Sequence, residues 1–229
     1  MNVLVACEES QTVCKAFRDL GHNAFSCDLQ PCSGGHPEWH ILGDVRDVLE
    51  PRYYGDPEGA KGIIFFTSEG SFYPHEISHW DLIIAHPPCT YLSKASAVRL
   101  FPGGKLDYSR YEKGLAAKEF FLSFLYCSCP RVCVENPVPL HIFNLPRSSE
   151  VIQPYEFGDK FVKKTYLWLK GLPPLMPTSI SYDNKLWVSA GSCNRNNVGL
   201  IVSQKLRSKT FPGIARAMAF QWGGVANEI

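Results

Sequence analysis

Short apolar runs, each closed by a charged or reactive residue, are the strongest constraint on how this 229-residue chain folds. VLVAC (3–7) passes into EES, NAFSCDL (23–29) reaches Asp28, and HILGDV (40–45) reaches Asp44. DLIIA (81–85) leads straight into HPPC, and RVCVENP (131–137) ends on Glu135. Runs this short have the length of buried strands rather than of helices.

Helical periodicity fills the gaps between them. From Ser10 to Leu20, apolar Val13, Cys14, Ala16, Phe17 and Leu20 recur at helical spacing, and Gly21 is a helix stop. KGLAAKEFFLSFLYC (113–127) carries Leu115, Ala116, Phe120, Leu122, Phe124 and Leu125 as one broad stripe. The pattern predicts a further strand at TYLWL (165–169) and a last helix over 212–222, with Pro212 in its first turn. Residues 51–80 read as irregular, with GIIFF (62–66) as an added strand. Strands alternating with helices predict an α/β fold: a mostly parallel sheet with helices on both faces. Ligands bind such sheets beyond the carboxyl ends of the strands. Glu8, Asp28, Asp44, Cys89 and Glu135 are all expected at that edge.

Composition narrows the setting. No apolar run approaches the roughly 18 residues that a membrane helix needs. The N-terminus MNVLVACEES lacks the basic start of a secretion signal, and a cytoplasmic protein is expected. Nine cysteines, mostly within apolar runs, suit reduced core thiols better than a disulfide framework. Net charge is +1 but uneven: residues 151–229 hold ten Lys/Arg against four acids, +6, which leaves −5 for the first 150. A basic final third suits contact with phosphate, and clustered surface lysines are its plain alternative.

Two zinc-like patterns fail on their surroundings. HEISH (75–79) matches H-E-x-x-H, which binds metal only on a helix, and Pro74 before it and DLIIA after it leave no room for one. Cys127, Cys129 and Cys133 have no second pair at zinc spacing and read as core. No metal is expected, and no P-loop is present.

PPCTYLS (87–93) followed by RVCVENP resembles the motif pair of DNA cytosine-5 methyltransferases, in order and across a gap of 46 residues from Cys89 to Glu135. The resemblance runs from Val3 to Pro137, and RSKTFPGIARAMAFQWG (207–223) is similar to the tail of small phage and prophage members. It implies a Rossmann-like, class I S-adenosyl-L-methionine-dependent methyltransferase of one catalytic domain (1–229), with DNA as partner and restriction-modification as its setting. It implies Cys89 as the nucleophile for carbon 6 of cytosine and Glu135 as the acid that holds ring nitrogen 3. The chemistry asks for these types. Carbon 5 is a poor nucleophile until a thiolate adds to carbon 6, and a carboxyl, protonated or sharing a proton, stabilises the charge on the ring. The Pro87-Pro88 step fixes the direction of the sulfur.

By the same resemblance Cys7, Glu8, Glu9 and Ser10 wrap the amino-acid end of S-adenosyl-L-methionine, Asp28 with Leu29 takes the ribose, and Asp44 with Val45 and Pro87 takes the adenine side. An acid at the end of a second strand accepts ribose hydroxyls for the reason it does in dinucleotide folds. Pro88, Ser93, Asn136, Lys163 and Lys164 are the substrate-side candidates, and Tyr91, Tyr108, Tyr111 and Trp187 are candidates for base stacking. Plain alternatives stand beside these roles. A cysteine after a strand is often a core residue, and Asp28 and Asp44 equally suit helix N-caps.

Two features depart from the family. CEESQ (7–11) stands where a glycine-rich loop is usual. Only about 37 residues, 170–206, stand in place of a target-recognition domain, short for a separate unit. Weak or very short sequence recognition follows, of a base that is flipped or single-stranded. The same chemistry on another pyrimidine or a free nucleotide, or a catalytically silent relative of anti-restriction type, are the alternatives.

Overall fold

In the first strand Val3 and Val5 face one side of the sheet and Leu4 and Ala6 the other, and all four are completely buried. A strand covered on both faces belongs in the middle of a layered fold. The computed structural model describes residues 1–53, 61–180, 186–187 and 209–224. Its elements begin with β1 (Asn2–Ala6), α1 (Thr12–Arg18), β2 (Asn23–Asp28) and β3 (His40–Leu42). Next come β4 (Arg52–Tyr53), β5 (Lys61–Phe66), β6 (Phe72–Ile77), β7 (Leu82–Ala85), α2 (Ala97–Leu100) and α3 (Tyr108–Tyr126). They end with β8 (Val132–Asn136), β9 (Glu150–Ile152), β10 (Phe161–Val162), β11 (Thr165–Lys170), β12 (Leu186–Trp187) and α4 (Pro212–Met218).

The main sheet has seven strands in the order β3-β2-β1-β7-β8-β11-β9. The first five run parallel, and β11 is antiparallel to both β8 and β9. The chain is α/β, with a mostly parallel mixed sheet compatible with a Rossmann-like fold. Val13, Cys14 and Phe17 of α1 and Ile214, Ala217 and Met218 of α4 cover one face. Phe121 and Phe124 of α3 cover the other, against Val132, Val134 and Trp168. Asp107 caps α3 by accepting from the Arg110 N–H at 3.0 Å, a cap worth about 1 kcal/mol.

The sequence reading differs from the structure in three places. The stretch 51–80 is largely ordered: β4, β5 and β6 form a separate antiparallel sheet. Its inward Ile63, Phe65 and Ile77 join the core on the α3 side, while Ile64 and Phe66 are exposed. Four apolar residues in a row hide that alternation from a reader of sequence. The reversal of β11 against β8 and β9 has no mark in the sequence, and β9 has too few apolar residues to announce itself. The last helix is α only to Met218 and finishes as a π-turn over Ala219–Gly223. His75 lies in strand β6 and not on a helix. Of the short region 170–206, residues 181–185 and 188–206 lie outside the described residues, as does the side chain of Trp187.

Candidate functional site

Where β1 ends, the backbone turns sharply. Cys7 and Gln11 both take left-handed conformations, with φ of 58° and 56°. These are values glycine adopts freely and L side chains rarely do, so CEESQ makes a tight turn without glycine. Gln11 clamps it: its amide donates to the His36 carbonyl at 2.7 Å and accepts from the His36 N–H at 3.1 Å. A Cβ on Gly34 would sit 2.5 Å from that of Gln11, so only glycine lets the two loops close.

Glu8 is buried, and its carboxylate accepts from the N–H groups of Val13 at 2.7 Å and Cys14 at 3.1 Å. It caps α1 from outside, since Gln11 at the N-cap position makes no side-chain cap bond. Burial pushes its pKa up, against the pull of His86 and the helix N–H groups. Asp28 accepts from the Gln30 N–H at 2.9 Å, and burial raises its pKa. Asp44 accepts from the Arg46 N–H at 3.0 Å and pairs with the Arg46 guanidinium, which holds its carboxyl below the usual range. The capping alternative is realised for Asp44, the N-cap of the short helical turn Val45–Asp47, while Asp28 closes a turn that no helix follows. Both carboxylates stand on the wall of a hollow of about 330 Å³, with Cys7, Leu29, Val45, Pro88 and Phe120 as apolar neighbours.

A larger hollow of about 670 Å³ adjoins it, sharing Cys7, Asp28, Leu29 and Pro88. Glu8, Glu9, Ser10, His86, Cys89, Thr90, Lys209 and Thr210 also line it. Glu9 brings a buried carboxylate oxygen with no partner.

β7 ends at Ala85, and the His86 N–H is anchored to the Ala6 carbonyl at 2.9 Å. After Pro87 and Pro88, Cys89 is half-buried, and its carbonyl accepts from the Ser93 N–H at 3.1 Å. Burial raises the thiol pKa, with Lys163 and Ser93 pulling it down and Glu135 pushing it up. The resting sulfur is therefore a thiol at neutral pH.

On the neighbouring β8, Glu135 Oε2 accepts from His86 Nδ1 at 2.7 Å, with side chains only 12% and 11% exposed. Burial alone would raise the Glu135 pKa. The His86 hydrogen bond, the charges of Lys163 and His86 and the Thr210 hydroxyl outweigh it and hold the group down to about 2. Burial lowers His86, but Glu135 and Glu8 win and raise it. Both shifts favour an imidazolium–carboxylate pair, with the proton toward the histidine. The carboxyl expected to be protonated or to share a proton at ring nitrogen 3 is instead held ionised, with His86 as its hydrogen-bond partner.

The larger hollow thus brings Cys89 together with His86 and Thr210, the two residues that hold Glu135 behind them. Pro87, Ser93, Asn136, Lys163 and Lys164 line neither hollow. Pro87 is buried and accepts from Asn136 Nδ2 at 3.4 Å, so these two brace the β7 and β8 ends against each other. Lys163 is half-buried and near enough to act on both Cys89 and Glu135, while Lys164 is exposed. Tyr111 stacks on Phe143 at 5.6 Å and Tyr91 lies under Arg110 at 4.8 Å, so both are engaged within the fold. Sequence reading passed over His86, Phe120, Lys209 and Thr210. His86 had a signal, as a titratable residue at a strand's carboxyl end; Thr210, 75 residues beyond Glu135, had none. No protein-family model and no curated protein matches the chain.

Proposed function

We propose that the chain is a class I methyltransferase that moves a methyl group from S-adenosyl-L-methionine to carbon 5 of cytosine in DNA, through a covalent bond at Cys89. The observation that carries this reading is the shared hollow. Cys89 and His86 line it together, and Glu135 lies behind His86 on the adjacent strand end, beside a second hollow edged by two carboxylates.

The residues fit the methyl donor. Asp28 suits the ribose hydroxyls, Val45, Phe120 and Pro88 suit a flat apolar ring, and the unpartnered Glu9 oxygen suits an ammonium group. When bound, S-adenosyl-L-methionine supplies an electrophilic methyl group. On the protein side, Cys89 gives its proton to solvent water and the thiolate adds to carbon 6, the electron pair of the 5,6 double bond moving so that carbon 5 becomes electron-rich. Glu135, ionised, accepts a hydrogen bond from the exocyclic amine of cytosine. Once carbon 5 is methylated, water takes its proton, the carbon–hydrogen electron pair restores the 5,6 double bond, and the sulfur–carbon bond breaks to return the thiolate. Because Cys89 is resting as a thiol, the rate is expected to rise with pH until substrate or Lys163 draws out the thiolate.

That raised pKa also favours a second reading, a silent relative that binds nucleic acid or an S-adenosyl-L-methionine-like ligand. Labelled S-adenosyl-L-methionine is incubated with cytosine-containing DNA, beside a Cys89→Ser variant. Label on DNA from the unaltered protein alone supports methyl transfer. Label on free nucleotides only moves the substrate. Binding heat without transfer, and no adduct with 5-fluorocytosine DNA, overturns the reading in favour of the silent binder.

A further inference from the structure

His86 touches the centre of the site and belongs to neither motif that suggested the function. Its Nδ1 bonds Glu135 at 2.7 Å, its backbone N–H is tied to the end of β1, and its ring borders the hollow that holds Cys89. Its other ring nitrogen is buried without a partner. The charged groups acting on it are Glu135 from β8, Glu8 from the turn before α1, and Lys163 from the segment entering β11. Glu8 is already held by two helix N–H groups, so Glu135 is the carboxylate that His86 is built to serve.

We propose that His86 is a positioning residue of the methyl transfer: lining the hollow beside Cys89, its Nδ1–H fixes the orientation of the Glu135 carboxylate behind it, from which that carboxylate acts on the pyrimidine. The inference rests on the methyl-transfer reading. A carboxyl on a freely turning side chain meets the base in many orientations. Anchored at one oxygen by a ring that is itself anchored to the sheet, it meets the base in one. The effect belongs to the chemical step and not to the assembly of the complex. Thr210, bonded to the same carboxyl, supports it from the opposite direction in the chain.

Asparagine tests this directly, because its Nδ2–H lies where histidine has Nδ1–H but carries no charge. In His86→Ala, kcat is expected to fall about 100-fold while KM for DNA and for S-adenosyl-L-methionine stays within about 3-fold. His86→Asn is expected to recover about 10-fold of that loss. Full kcat in the alanine variant, or an asparagine variant no faster than alanine while melting like the unaltered protein, overturns the proposal. Should both variants lose their fold, the unaltered protein decides through its histidine side-chain NMR spectrum. A slowly exchanging Nδ1–H signal that vanishes in Glu135→Gln supports the anchor, and its absence overturns it. Absence of transfer by the unaltered protein defeats the methyl-transfer reading itself and is read separately in the same assay.

Discussion

The two halves of the sheet's carboxyl edge hold their polar groups in opposite ways. On the β1–β3 side each carboxylate is satisfied by the loop it begins: Glu8 by α1, Asp28 by Gln30, Asp44 by Arg46. On the β7–β8 side the partners come from far along the chain, with His86 and Glu135 49 residues apart and Thr210 arriving from beside α4. Local partners make a wall that survives changes elsewhere. Distant partners make a centre that exists only when several elements are docked at once.

The largest expected effect breaks the distant half. Glu135→Gln leaves the charge of His86 buried and unmatched, at a cost of about 4 kcal/mol. The sign with pH follows from both shifts. Glu135, depressed to about 2, stabilises above its unfolded 4.5 and loses that contribution as pH falls toward 2. His86, raised, stabilises fully below its unfolded 6.5 and loses it as pH climbs through the folded value. Urea midpoints of the two proteins should therefore differ most between pH 4.5 and 6.5 and converge on either side. A constant difference across pH would show that the pair is not ionic.

Next is Gly213→Ala. Its Cβ would meet the Phe157 carbonyl oxygen at 2.0 Å, so α4 must shift, for about 3 kcal/mol. If the methyl-transfer proposal holds, transfer should fall with stability while affinity for S-adenosyl-L-methionine, which that proposal puts on the local side, stays unchanged by calorimetry. Loss of that affinity would erase the distinction between the halves. On the local side Glu8→Ala strips two buried helix N–H groups of their acceptor and should cost about 2 kcal/mol by chemical denaturation. The smallest effect is Asp44→Asn, which loses an ion pair to an exposed arginine and should cost under about 1 kcal/mol. A much larger loss there would mean that the local wall is not independent.

The same contrast explains what could be read from sequence. Strand ends at Glu8, Asp28, Asp44, Cys89 and Glu135 were legible because a strand and its terminal residue are neighbours in the chain. The capping by Asp44 was legible for the same reason. Thr210 was not, since nothing in RSKTFPG says which strand it will meet. The reversal of β11 was not either, because a six-residue apolar strand carries no mark of its direction. His86 was visible and passed over in favour of the cysteine three residues on.

The docking of residues 209–224 carries one more consequence. Their anchors, the His22 ring on the Gly224 carbonyl at 2.8 Å and Arg131 on the Trp222 carbonyl at 3.2 Å, lie on segments made much earlier in synthesis. A ribosome releases Cys89 and Glu135 well before it releases Thr210, so a growing chain carries its proposed nucleophile for some time without a finished pocket around it. Translation halted short of residue 209 is expected to yield a chain whose sheet lacks the cover of α4 and whose Cys89 lacks Thr210 beside it.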